Sequence, residues 1–148
     1  LKDVQDNAHK ELISLWEKQN TKGLRNEQLM QLYASAFGAI ERRCSATLSS
    51  ITINVVIDRV LHLGAKKYPF FSLLTIEPSG LNFKRLIQKN ENYKSEELRN
   101  GLNYFLAEFL TVIGHITSEV LSESLHKELR EVIRENVLNG HELQRGDE

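Results

Sequence analysis

The stretch VIGHITSEVLSESLHKEL, Val112–Leu129, decides the fold. Its apolar residues continue a stripe of Leu98, Leu102, Phe105, Phe109, Val112, Ile116 and Val120, and steps of three and four keep one face of an α-helix apolar. After a phase shift the stripe resumes at Leu121, Leu125, Leu129, Val132 and Val137. Ser95, Glu96 and Glu97 open it, where a helix N-terminus favours small polar and acidic residues, and Asn139 and Gly140 mark its exit. Taken whole, this is a helix of about forty residues, far beyond the usual three or four turns. The expectation is a long C-terminal helix, running unbroken or breaking near Gly114 or near Ser122 and Ser124, and then a polar tail at 139–148.

Upstream, Val4, Ala8, Leu12, Leu15 and Trp16 give a one-sided amphipathic helix that Thr21, Lys22 and Gly23 end. A second run, with Asn26 as its N-cap, passes through Leu29, Tyr33, Phe37, Ile40, Cys44, Leu48, Ile51 and Val55. That is a seam long enough for a partner helix to occupy. Ile51–Leu63 is apolar on its other faces too, so it reads as a helix buried all round, stopping at Gly64 with Lys66, Lys67 and Pro69 beyond. In FFSLLTIEPSGLNF, 70–83, the residues become β-prone around a Pro78-Ser79-Gly80 turn, which predicts a small β-hairpin. The fold class expected is all-α: a four- to five-helix bundle with an inserted hairpin at about residues 70–83, forming a single helical domain over 1–138.

With 148 residues, 41% hydrophobic and 26% charged, the chain has the composition of one ordinary globular domain. Nineteen basic against twenty acidic residues give no broad positive field, so nucleic acid is not an expected partner. The richest apolar run, Ile51–Leu63, carries Asn54, Asp58, Arg59 and His62, so no membrane span is expected. The lone Cys44 excludes an internal disulfide and points to a reducing, cytoplasmic setting. A first residue other than Met suggests a fragment or a trimmed start.

In the opening stretch, His115, Glu119, Glu123 and His126 would lie at about 0°, 40°, 80° and 20° around a continuous helix, on one stripe. Glu123-Ser-Leu-His126 also has the Glu-x-x-His spacing that supplies ligands in di-iron carboxylate bundles, but His9, His62 and His141 provide no second copy. The four residues are therefore a candidate polar or metal site, set against a solvated helix face. VIGHITSEVL is also similar to the phosphoacceptor box of sensor-kinase dimerisation domains, a helical histidine followed by polar residues and then leucines. Ile116 stands where that box has an acid, and its basic residue and proline are missing. Tyr68, Phe70, Phe71 and Phe83 are a candidate apolar pocket beside the hairpin. No serine elbow or glycine-rich phosphate loop occurs, so enzymatic activity and cofactors are not expected. The composite expectation is a non-catalytic regulatory or sensory and dimerisation module of a cytoplasmic signalling protein. It would form a homodimer through its long seams and meet a protein partner through the long C-terminal helix. A metal-binding bundle and a small-ligand-binding domain are the alternatives.

Overall fold

A computed structural model describes residues 2–138. They form helices α1 (Lys2–Asn20), α2 (Asn26–Ser45), α3 (Ser50–Gly64), α4 (Lys84–Gln88), α5 (Ser95–Ile116) and α6 (Ser122–Glu131), with a hairpin of β1 (Thr75–Glu77) and β2 (Gly80–Asn82). Helix α5 is the axis: α1, α2 and α3 pack around it, and α6 lies against α2 and α1. The proposed tail at 139–148 lies outside the described residues.

The core is aromatic. Phe37 of α2 meets Phe105 and Phe109 of α5 edge to face, with ring centroids 5.1 and 4.9 Å apart, the arrangement favoured by the ring quadrupoles. Beside them Phe70 and Phe71 occupy a 3-10 turn, Pro69–Leu73, that lies against α5 where Gly101 leaves room for the Phe70 ring. Proline at the first position starts that turn because its missing N–H is not needed there. The strands consequently begin only at Thr75, later than the hydrophobic pattern indicates, and pair in the register Ile76↔Leu81 and Glu77↔Gly80.

Four expectations need correction. First, the unbroken forty-residue C-terminal helix is not found: α5 ends at Ile116, close to Gly114, one of the expected points of a break, and the next helix, α6, has ten residues. Second, the seam through Val55 is not one helix. Ser49 caps a new one by accepting the Thr52 N–H at 3.2 Å, and Leu29, Tyr33, Phe37, Ile40 and Cys44 are all buried within this one chain. Third, α3 is not buried all round, since Ile51 is 76% and Val55 63% exposed. Fourth, the buried face of α1 is His9, Ile13, Trp16 and Asn20, while Val4 and Leu15 face solvent.

Asn26 is the first residue of α2 rather than its cap. Its amide donates to the carbonyls of Asn90 and Tyr93 at 3.0 and 2.9 Å, tying the start of α2 to the loop that leads into α5. Gly64 does end α3, but as a spacer against Phe71 and Tyr104, not through a left-handed backbone.

Candidate functional site, the junction of helices α1, α5 and α6

The break after Ile116 has a defined geometry. The Glu119 N–H reaches back to the Gly114 carbonyl at 2.7 Å and the Ser118 N–H to the His115 carbonyl at 3.4 Å, the paired bonds of a Schellman motif. That motif needs a left-handed residue after the cap, ordinarily glycine. Here Ser118 (φ 51°) and Glu119 (φ 66°) take the left-handed conformation in succession, a strain of order 1 kcal/mol or more for each residue that carries a Cβ. Thr117 assists by donating its hydroxyl to the Ile113 carbonyl at 2.8 Å.

This turn folds the Glu119 carboxylate back over Gly114, where any Cβ would collide with it. Ser122, the first residue of α6, donates its hydroxyl to Glu119 Oε2. The same oxygen lies 3.8 Å from Nε2 of His9, which is fully buried on α1. On the other edge of that ring, His9 Nδ1 contacts His126 Nε2 of α6 at 2.7 Å, with the two rings perpendicular. The short contact is satisfied when His126 donates from Nε2 to His9 Nδ1, which leaves the His9 proton on Nε2, buried without a hydrogen-bond partner 3.8 Å from Glu119. Glu119, His9 and His126 thus form a carboxylate–imidazole–imidazole series across three segments of the chain.

Burial disfavours the charged form of both imidazoles. Burial holds the His9 imidazole below its usual value, against the pull of Glu119 and Asp6, with His115 adding to the depression. Burial likewise holds His126 down, helped by His9 and Arg130 and opposed by Glu123 and Glu119.

The four residues of the expected stripe are therefore dispersed. His115 is in the last turn of α5, more than a third exposed, with Nε2 3.4 Å from Asp6 of α1. Glu119 is in the turn, Glu123 is exposed in the first turn of α6, and His126 faces inward from α6. The junction joins Glu119 to His126 through His9, leaves Glu123 outside, and brings in Asp6. His9 was missed because a polar residue on α1 reads as solvated, and its partner is 117 residues away. Among the described residues no three His, Cys, Asp or Glu side chains are grouped so that they could hold a metal ion. The chain geometry explains this: His9 turns opposite nitrogens to its two neighbours, so their lone pairs do not converge on one point.

Helix α1 also grips the segment that leaves α6. Trp16 Nε1 donates to the Val132 carbonyl at 2.9 Å. Asn20 Oδ1 accepts the Arg134 N–H at 3.0 Å, and the Arg134 guanidinium donates to the Lys22 carbonyl at 2.8 Å. With the His9–His126 contact, these bonds fasten residues 126–134 along the length of α1.

The candidate aromatic pocket divides in the same way. Phe70 and Phe71 are core residues. Tyr68 instead forms part of the wall of an open groove of about 740 Å³ between α1 and α5, with Lys10, Glu17, Asn103, Tyr104 and Glu108, and Phe83 borders a separate depression of about 400 Å³ beside α4. Glu17 accepts from the Asn103 amide, whose oxygen accepts from the buried Tyr33 hydroxyl, so a polar relay runs from the groove into the core. No helix among the described residues is long and apolar enough to cross a membrane. The chain matches no protein-family model, no curated protein sequence and no solved structure.

Proposed function

We propose that this chain is a non-catalytic regulatory domain of a signalling protein, in which α6 and the segment after it are the two-state element and α1 is the clasp. The observation that carries the reading is the set of side-chain bonds from Trp16, Asn20 and His9 to residues 126–134. They fasten a short, polar helix that starts from a strained turn. Opening α6 uncovers Leu125 and Leu129 but leaves Phe37, Phe105 and Phe109 of α2 and α5 packed together, and a domain that reports a signal by changing its packing requires such a separable element. A protein partner would then read the released α6, in place of the long rod expected from sequence.

Hydrogen–deuterium exchange of a Trp16→Phe variant tests this. Phenylalanine keeps most of the apolar ring and removes the N–H to Val132, a bond of about 1 kcal/mol, so exchange across 122–134 should rise roughly fivefold. Amides of α2 and α5 should be unchanged. A uniform rise in every helix would show that α6 is not a separate element and would end the proposal.

Because Leu29–Cys44 closes within the chain, pairing of two copies would need an exposed apolar surface, of which Ile51 and Val55 of α3 form one. Loss of a dimer on changing both residues to Asp, read by light scattering, is the corresponding test. The groove between α1 and α5 favours small-ligand binding as a second reading, for which a molecule retained in native mass spectra is the sign.

A further inference from the structure

The regulatory reading leaves open what would release α6, and the His9–His126 contact supplies an answer. At 2.7 Å the two ring nitrogens share one hydrogen. One extra proton can be accommodated if the shared hydrogen moves to His9 Nδ1, which then donates to His126 Nε2, while His126 carries its own proton on Nδ1 and His9 Nε2–H stays directed toward Glu119. A second proton cannot. It places N–H against N–H and two positive rings side by side in a position where His9 has no access to water. We propose that this pair is a proton-operated latch: protonation of both imidazoles separates α6 from α1 and frees the segment that Trp16 and Asn20 hold.

Every charged neighbour bears on the latch. From α1, Asp6 faces His9, and from the turn Glu119 does so. These two carboxylates favour the first proton. From α5, His115 opposes it. From α6 itself, Glu123 favours and Arg130 disfavours protonation of His126. From α2, which packs on α6, Arg43 donates to Ser124 at 3.4 Å rather than to either imidazole. Attractive charges thus gather around the first protonation, while burial, His115 and Arg130 resist the second, which gives the contact a defined point of failure. Histidine is the side chain whose charge changes between about pH 5 and 8, so this point falls on the acid side of neutrality.

The inference rests on the proposed role of α6, and Trp16 reports on it. Trp16 is the chain's one tryptophan, 3% exposed and bonded to Val132. Its fluorescence and the far-ultraviolet circular dichroism of the intact chain are followed from pH 7.5 to 5. Release of α6 should shift Trp16 emission to the red with most of the helical signal retained. His9→Gln and His126→Gln, each leaving one imidazole, should lose the transition, whereas His115→Gln should keep it. Imidazole titration of the unaltered chain by nuclear magnetic resonance guards against variants that fail to fold: His9 and His126 should titrate over the same pH range as the emission change. No emission change, a change that survives in folded His9→Gln protein, or a change out of step with both imidazoles would overturn the latch. A faster-exchanging α6 with no pH response would sink the latch alone. An α6 that never opens separately would sink the regulatory reading with it.

Discussion

Replacing Gly101 with alanine sets two physical effects of opposite sign against each other. In an exposed helix interior, Gly→Ala stabilises by about 1 kcal/mol, because glycine gives up more backbone freedom on folding. At Gly101 the new Cβ would lie 2.7 Å from Phe70 Cε1 and 3.1 Å from Tyr68 Cδ1, and closer still to Phe70 Cζ. Phe70 is fully buried and packed edge-on against Phe71 at 5.2 Å, so its ring has nowhere to go, and overpacking of this kind costs about 1–3 kcal/mol. The packing loss should win, leaving Gly101→Ala about 1–2 kcal/mol less stable, a fall in Tm of roughly 2–8 °C for a domain of this size. Gly38 of α2 is the control. There the Cβ would meet only Arg42 Nη1 at 3.4 Å, the far end of a flexible side chain, so Gly38→Ala should be stabilising by about 0.5–1 kcal/mol. Urea denaturation followed by circular dichroism gives both values. A Gly101→Ala protein more stable than the parent would refute the reasoning, because it would mean that α5 does not approach Phe70 closely.

Gly80→Ala should weaken the hairpin by more than 1 kcal/mol, roughly, since Gly80 has φ 118° and the Glu41 carboxylate occupies the space of a Cβ; thermal denaturation would show it as a lower Tm. Cys44 should resist a thiol reagent at pH 8 and react only after unfolding, because it is buried and its thiol is pushed up to about 12. Stability should also depend on pH with a fixed sign. The unfolded chain protonates its histidines near pH 6.5, before the depressed His9 and His126 of the folded chain, so their contribution is intact above about 6.5 and is lost as the pH falls through that range. Glu41 acts oppositely: burial raises its carboxyl, so its contribution is present below about 4.5 and fades as the pH rises. Urea midpoints at pH 7.5, 6.5 and 5.5 should therefore fall toward acid, with the fall reduced in His9→Gln.

Much of the helical pattern was legible because apolar residues recur at helical steps and turns carry their own chemistry. The ends of α1 at Asn20 and α3 at Gly64, and the Pro78-Ser79 turn, lie where the residues indicate. The break between α5 and α6 lies near Gly114, one of the points the sequence offered, but its turn was not legible. A Schellman turn is usually announced by glycine, and here Ser118 takes the left-handed position, with the strain held by the bonds of Thr117 and Ser122. Ser49 was overlooked because the apolar period from Cys44 to Ile51 runs through it, although its side chain caps α3. Phe70–Leu73 looked extended from composition, but Pro69 nucleates a turn and the large rings find space against Gly64 and Gly101. Of the junction, Glu119 and His126 could be marked as polar groups within an apolar run. Their connection through His9 could not, because it depends on α1 docking beside the C-terminal helices, a contact that local pattern does not encode.

Native-state hydrogen exchange of the unaltered protein, at rising sub-denaturing urea, tests the central claim most directly. If α6 is a clasped, separately opening element, amides from Leu125 to Arg134 should share one opening free energy, clearly below that of α2 and α5, and should merge with global unfolding only at higher urea. If those amides exchange only with the core, at the global free energy under all conditions, α6 is a fixed part of the bundle and the regulatory account is contradicted.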